Sequence, residues 1–335
     1  MEDLTALNKT IDRFGQARIV VVGDMMLDRF IWGKVSRISP EAPVPVVQVT
    51  EESAHLGGAA NVVCNLEELG CSSVPVGLVG TDATAATFRG LLGQRGVDLS
   101  GIVADDAFTS IQKTRIIAQR QQVCRVDREG ENVFTEAQHE KVRASLFAQL
   151  AAADAVIVSD YGKGSITRPL LEELTAKAGT KIISVDPKEN NYDHYHDVTI
   201  LTPNRNEAEG MAGVRIKDAE SLRQAAASIF GKLSCRLLLI TLGEHGMALF
   251  HAPDDMVHIP TQAREVFDVS GAGDTVIATW TLARAVGATP RQAAVLANAA
   301  AGVVVEKLGT ATLNRDELRG ALKRWNQSDN RKPFV

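Results

Sequence analysis

Six short runs rich in β-branched residues recur along this chain, separated by stretches of helical period. They are residues 18–23 (RIVVVG), 74–80 (VPVGLVG), 155–160 (AVIVSD), 181–186 (KIISVD), 198–202 (VTILT) and 237–242 (LLLITL). Each is almost continuously apolar, the pattern of a parallel strand covered on both faces. Between them, residues 58–69, 136–151, 169–178 and 218–232 read as amphipathic helices. This alternation predicts an α/β layered sandwich around a mostly parallel sheet. Ligands in such sheets lie outside the carboxyl ends of the strands, so the polar residues closing the runs are the first site candidates.

Two segments break the alternation. Residues 30–50 and 110–127 alternate apolar and polar side chains, and the second has a polar break at 119–122 that reads as a hairpin turn. Together they predict a small β-sheet inserted into a single unit spanning 1–325, followed by a polar tail at 326–335. One face of that sheet would cover a ligand. The other, with Trp32, Val44 and Val46, would meet a second copy of the chain.

The net charge of -5 argues against nucleic acid or an anionic membrane as a partner held by bulk electrostatics. The N-terminal residues show no signal pattern and no apolar run is long enough to span a bilayer, which predicts a cytoplasmic protein. The four cysteines lack CxxC spacing and read as reduced, semi-buried thiols.

The chemistry concentrates at Gly271-Ala272-Gly273-Asp274, ahead of a strong helical pattern. A small-residue turn opening a helix presents unpaired N–H groups and the positive end of the helix dipole, a site for a phosphate. A carboxylate there, Asp274, suits a base that accepts a hydroxyl proton. A plain helix cap reads the same letters equally well. No Walker-type phosphate loop is present.

In combination the motifs resemble the ribokinase-like (phosphofructokinase B) family of sugar kinases. In order, they are Gly23-Asp24, Gly57-Gly58-Ala59-Ala60-Asn61, residues 204–207 (NRNE), residues 241–246 (TLGEHG) and residues 268–274. The resemblance implies a ribokinase-like three-layer sandwich with a β-sheet lid. It makes Asp274 the catalytic base and Gly271, Ala272 and Gly273 the anion hole. It gives Asn204 and Glu207 the positioning of phosphates and Mg2+, with waters between Glu207 and the metal. A helix-capping pair is the alternative for these two. Thr241, Gly243 and Gly246 would line the ATP site, although a hairpin turn also explains the glycines. Asn298 resembles the position lining the adenine pocket, with an exposed helical Asn as alternative. Lys188 would reach the phosphates unless it is merely solvated. Asp268, Ser270 and residues 305–309 resemble a monovalent-cation loop, for K+ or a similar ion.

For the sugar, Gly57, Gly58 and Asn61 would allow close approach and hydrogen bonding, and Asp24 and Asp28 would hold hydroxyls. Asp28 could instead pair with Arg29 or Arg37. Lys113, Arg115 and Arg125 share one face of the hairpin, and Lys163 could join them to hold a phosphate already on the substrate. An edge device against aggregation is the alternative. Residues 23–28 (GDMMLD), 36–46 (SRISPEAPVPV), 159–164 (SDYGKG) and 298–310 resemble the heptose 7-phosphate kinases that feed lipopolysaccharide core synthesis. That likeness implies phosphorylation of O1, and the apolar residues that an open lid would expose imply a homodimer joined through it. As no H-x-G-H motif is present, a separate adenylyltransferase would act downstream. Another sugar kinase of the family and a non-catalytic sugar-phosphate sensor stay open as alternatives.

Overall fold

The computed structural model describes residues 3–119, 121–130, 134–261, 266–307 and 309–327. Helix α1 (Leu4–Asp12), capped by the Asp3 carboxylate, precedes β1 (Arg18–Gly23). Two long strands follow, β2 (Met25–Ile38) and β3 (Pro45–Gly58), then α2 (Ala59–Glu68), β4 (Ser72–Val79), α3 (Ala83–Gln94) and β5 (Ile102–Ala104). The hairpin β6 (Ile111–Ala118) and β7 (Gln121–Arg128) leads to α4 (Glu136–Leu150), β8 (Ala155–Ser159), α5 (Arg168–Lys177), β9 (Ile182–Asp186) and β10 (Ile200–Leu201). The chain closes with α6 (Arg205–Ala212), α7 (Ala219–Leu233), the meander β11 (Leu237–Thr241), β12 (Met247–Ala252) and β13 (Asp255–Ile259), and helices α8 (Ala272–Ala285), α9 (Pro290–Val304) and α10 (Arg315–Gln327).

Nine strands form the central sheet in the order β13-β12-β11-β10-β9-β8-β1-β4-β5. Neighbours run parallel from β11 to β5, and β12 and β13 turn back antiparallel. Strand period 2 sorts the apolar side chains into two layers. Ile19, Val21, Ala155 and Ile157 pack with α2, α8 and α9, whereas Val20, Val22, Val156 and Val158 pack with α4, α5 and α7. The result is the expected three-layer sandwich. Thr135, Asp218 and Thr289 open α4, α7 and α9 with capping boxes, which set the helix starts locally. Among the described residues no helix is long and apolar enough to cross a membrane.

β1 has β4 on one side and β8 on the other. The chain reverses its direction of travel across the sheet there, and a crevice opens at the carboxyl ends of β1 and β8.

A second sheet, ordered β3-β2-β6-β7, is the small separate sheet expected as a lid. Its strands reach deeper than residues 30–50. Met25, Met26 and Leu27 of β2 and Leu56 of β3 are buried in the core, and exposure begins beyond Asp28. Trp32, Ile38, Val44, Val49 and Val126 are exposed on the lid, while Val46 is half-buried. Cys124 corrects the thiol reading: it is exposed on β7, while Cys64, Cys71 and Cys235 are buried. The polar tail expected from 326 starts inside α10, and residues 328–335 lie outside the described residues.

Candidate active site

Gly271 precedes α8 in the left-handed conformation, φ 78°, and a Cβ built there would lie 2.7 Å from the Asn61 amide nitrogen. A side chain would be strained and would collide, so glycine is required. Of the three expected donors, Ala272 N–H turns to the Val269 carbonyl (3.2 Å), which leaves Gly271 and Gly273 for an anion.

Asp274, in the first turn of α8, is 4% exposed. Its Oδ2 accepts from Asn61 Nδ2 and its Oδ1 from the Tyr161 hydroxyl, each at 2.7 Å. Burial pushes its carboxyl up to about 6; the two hydrogen bonds oppose this, and the Asp28 charge adds to it. Below it, Thr275 Oγ1 donates to Asn65 Oδ1 (2.8 Å) and Asn65 Nδ2 to the Asn61 carbonyl (2.9 Å), locking α8 to α2.

Several residues expected to touch sugar have other tasks. Asn61 is buried and gives its amide to Asp274. Asp24 is 0% exposed and accepts backbone N–H bonds from Tyr161, Lys163 and Ser165, so it fixes the loop after β8. The close approaches that Gly57 and Gly58 permit are to the Asp28 carboxylate and the Asp24 carbonyl. Asp28 pairs with Arg115, and not with Arg29, which pairs with Glu52.

A cavity of about 160 Å³ adjoins this turn and gathers Lys188, Asn204, Glu207, Thr241 and Gly273 with Asp160 and Asp186. Asn204 and Glu207 do form a capping box: Glu207 N–H donates to Asn204 Oδ1 (3.0 Å) and Asn204 N–H to Glu207 Oε2 (2.9 Å). The other Glu207 oxygen remains for a water or an ion. Thr241 bridges to Asn204 through the backbone. Gly243 and Gly246, with φ of 60° and 83°, turn β11 into β12. Asn298 is buried, contrary to an exposed helical Asn, and its Nδ2 donates to the Pro260 carbonyl (2.8 Å). Asp268 ties the two halves of the expected cation loop, accepting from Ser270 N–H (2.9 Å) and Gly309 N–H (3.1 Å). A larger open depression of about 490 Å³ along α6 contains none of the expected residues.

On the lid side, Lys113 sits opposite Asp28 in the β2–β6 register and opposite Asp127 in the β6–β7 register, and Arg115 faces Arg125. Burial depresses the Lys113 ammonium, and nearby Lys163 and Arg125 depress it further. Arg125 is held bidentate by Asp127 (2.8 and 3.0 Å), and Lys163 pairs with Glu129 (2.6 Å). Four cations thus meet over the crevice with Asp28, Asp127 and Glu129 among them.

Residues 16–317 match the pfkB family carbohydrate kinases. The chain belongs to that family. This pfkB-family chain is 45% identical over 315 residues to the bifunctional protein HldE of Desulfatibacillum aliphaticivorans, covering 93% of the chain and 64% of that relative. The HldE of Geobacter sulfurreducens is 44% identical over 310 residues, covering 92% and 63%. The chain therefore spans a little under two thirds of these relatives' length. Among solved structures, Arabidopsis thaliana ribokinase complexed with ribose and ATP superposes with a TM-score of 0.72 at 21% identity, covering 92% of this chain and 99% of that one. Escherichia coli phosphofructokinase-2 in complex with substrates and products gives 0.76 at 18% identity, covering 91% and 98%. At those identities the likeness is one of fold.

For a pfkB-family kinase the charge balance of the 160 Å³ cavity decides what it can hold. Burial raises the carboxyls of Asp160, Asp186 and Glu207, with further upward pushes from Asp24 on Asp160 and from Glu207 and Asp274 on Asp186. Lys188 is the one cation among the residues lining it. The lining carries a surplus of carboxylates, although among the described residues no three His, Cys, Asp or Glu side chains converge as a metal site. Reading motifs alone missed Asn65, Thr275 and Tyr161. Tyr161 lies inside the 159–164 run, and its position between a strand end and two glycines was the available signal.

Proposed function

We propose that this chain transfers the γ-phosphoryl group of ATP to O1 of a heptose phosphate, D-glycero-D-manno-heptose 7-phosphate, giving the 1,7-bisphosphate. The observation that carries the proposal is Asp274, a buried carboxylate in the first turn of α8, next in sequence to Gly273 of the cavity lining and within electrostatic reach of Asp28. Near neutral pH it is ionised and poorly solvated, the condition of a base that accepts the O1 proton as oxygen attacks phosphorus. Gly271 and Gly273 N–H groups would stabilise the moving phosphoryl oxygens. Lys188 and Asn204 would hold the nucleotide phosphates, and magnesium, when bound beside Glu207, supplies charge neutralisation there.

The 7-phosphate would be met by Lys113, which has no ion pair among the described residues, and by Arg115, Arg125 and Lys163 exchanging Asp28, Asp127 and Glu129 for the dianion. Relatives named HldE at 45% and 44% identity support the heptose, and the neighbour complexed with ATP supports the nucleotide. K+ would sit by Asp268 and Ser270. A substrate panel tests the reading: rapid turnover of heptose 7-phosphate and slow turnover of ribose and fructose are expected, and the reverse order refutes it. The exposed Trp32, Ile38, Val44, Val49 and Val126 support a homodimer through the lid, to be read by light scattering of wild type and Trp32→Glu.

A further inference from the structure

We infer that Tyr161 is a positioning residue for the base, its hydroxyl fixing the orientation and proton affinity of the Asp274 carboxylate. The inference rests on the reading of Asp274 as the base of a sugar-phosphate kinase.

The tyrosine is delivered by a loop with little freedom. Asp24 Oδ2 accepts from Tyr161 N–H (2.9 Å) and Lys163 N–H (3.0 Å), and Oδ1 from Ser165 N–H (3.1 Å). Alternate N–H groups thus converge on one buried carboxylate. Gly162 N–H turns the other way, to Asp160 Oδ1 (2.7 Å), and Asp160 Oδ2 is held by the Tyr195 hydroxyl (2.8 Å) and Asn191 Nδ2 (2.6 Å). The loop is strapped from both sides, and the Tyr161 hydroxyl comes to rest 2.7 Å from Asp274 Oδ1.

A carboxylate offers about four lone-pair positions. Asn61 takes one on Oδ2 and Tyr161 one on Oδ1, which fixes the rotation of the group and leaves one on each oxygen for a substrate hydroxyl. The groups facing Asp274 are Asn61 and Cys64 of α2, Asp28 of β2, Asp186 of β9 and Tyr161 itself. Three of these are carboxylate or thiol and none is a cation. Arg115 is spent on Asp28. Two neutral donors therefore offset the burial that would otherwise keep the base protonated. Burial and the Asp274 charge push the Tyr161 phenol far up, so it stays a donor throughout the working pH range.

Tyr161→Phe tests this, because it keeps the ring and the N–H that Asp24 accepts. Two readouts are taken: kcat and KM from pH 5 to 9 with heptose 7-phosphate, and the 13C titration of the Asp274 carboxyl without substrate, assigned with Asp274→Asn. The expected result is an acid limb and a carboxyl midpoint that both move up by about one pH unit, as loss of a hydrogen bond to a charged group implies. The ionised fraction of the base, and kcat with it, falls about twofold at pH 7 and about tenfold at pH 5, and KM for ATP stays within about twofold because the ring and strapped loop are unchanged. Incorporation of 3-fluorotyrosine at 161, a better donor that preserves packing, moves both midpoints down and covers the case in which Tyr161→Phe fails to fold. Unmoved midpoints, with or without a loss of kcat, overturn the inference while the kinase reading stands. If wild type turns over no sugar phosphate but the carboxyl midpoint moves as stated, the kinase reading falls and the Tyr161–Asp274 coupling holds.

Discussion

Replacing Asp274 by Asn is expected to abolish turnover and yet stabilise the protein, in a pH-dependent way. The carboxyl is raised from 3.8 to about 6, chiefly by burial. At about 1.4 kcal/mol per pH unit, the ionised form burdens the folded state by about 3 kcal/mol. Between pH 3.8 and about 6 the folded protein binds more protons at this site than the unfolded chain. Stability from this group therefore falls as pH rises through that window, and the full cost is present above it. Asn removes the charge but sets an NH2 against one of two donors, Asn61 Nδ2 or the Tyr161 hydroxyl, at a cost of about 1–2 kcal/mol. The net gain is about 1–2 kcal/mol at pH 8, turning to a loss of similar size at pH 4, where wild type is already protonated. For a chain of this size the swing of about 3 kcal/mol is about 4 °C in Tm. Calorimetry of both proteins without ligands from pH 4 to 8 reads it directly. A Tm difference that is the same at both ends refutes the claim of a desolvated charge, and retention of most of kcat refutes the base.

Arg115→Ala leaves Asp28 without its partner and removes one cation from the cluster; KM for the sugar phosphate is expected to rise about tenfold or more with KM for ATP unchanged, and an unmoved sugar KM would return the basic face to edge protection. Glu207→Gln keeps an oxygen for the Asn204 N–H, so Tm should hold, while half-saturating magnesium rises about tenfold; an unchanged magnesium curve removes Glu207 from the metal site. Asn298→Ala strands the Pro260 carbonyl at a cost of about 1–2 kcal/mol, seen as a lower urea midpoint, and raises KM for ATP but not for sugar; equal changes in both would make the residue purely structural.

The core was legible because buried parallel strands write themselves as unbroken apolar runs: residues 155–160 and 237–242 reappear as β8 and β11 within a residue. Helix α8 was legible for its start at the small-residue turn. The Asn204–Glu207 capping pair was legible for a related reason, since a capping box is local backbone geometry that three-residue spacing records. The internal contacts of the sugar-side residues were not legible, because their partners are distant in sequence. Asp24 meets N–H groups 137 to 141 residues away, and Asn61 meets a carboxylate 213 away, so nothing near either letter announces the contact. The lid strands were read too short for the opposite reason. Met25–Leu27 look like a continuation of β1, and only tertiary pairing shows that the chain has changed sheets.

That change of sheets has a mechanical consequence. β2 is one continuous strand anchored in the core at Met25, with Asp28 three residues along and the exposed tip at Ile38 thirteen along, and its register with β3 shifts at Trp32/Gly33 and at Val35/Arg37. At about 3.3 Å per residue the tip stands at most about 43 Å from the fulcrum and Asp28 about 10 Å, the two register shifts shortening the outer arm. A tilt that carries the tip 4 Å moves Asp28 by about 1 Å, and with it Arg115 and the carboxylate's neighbours. A misplacement of that size near reacting atoms can change a rate about a hundredfold. Whatever grips the distant tip therefore holds a reducing gear on the chemistry, converting a coarse surface displacement into a fine adjustment where the sugar is held.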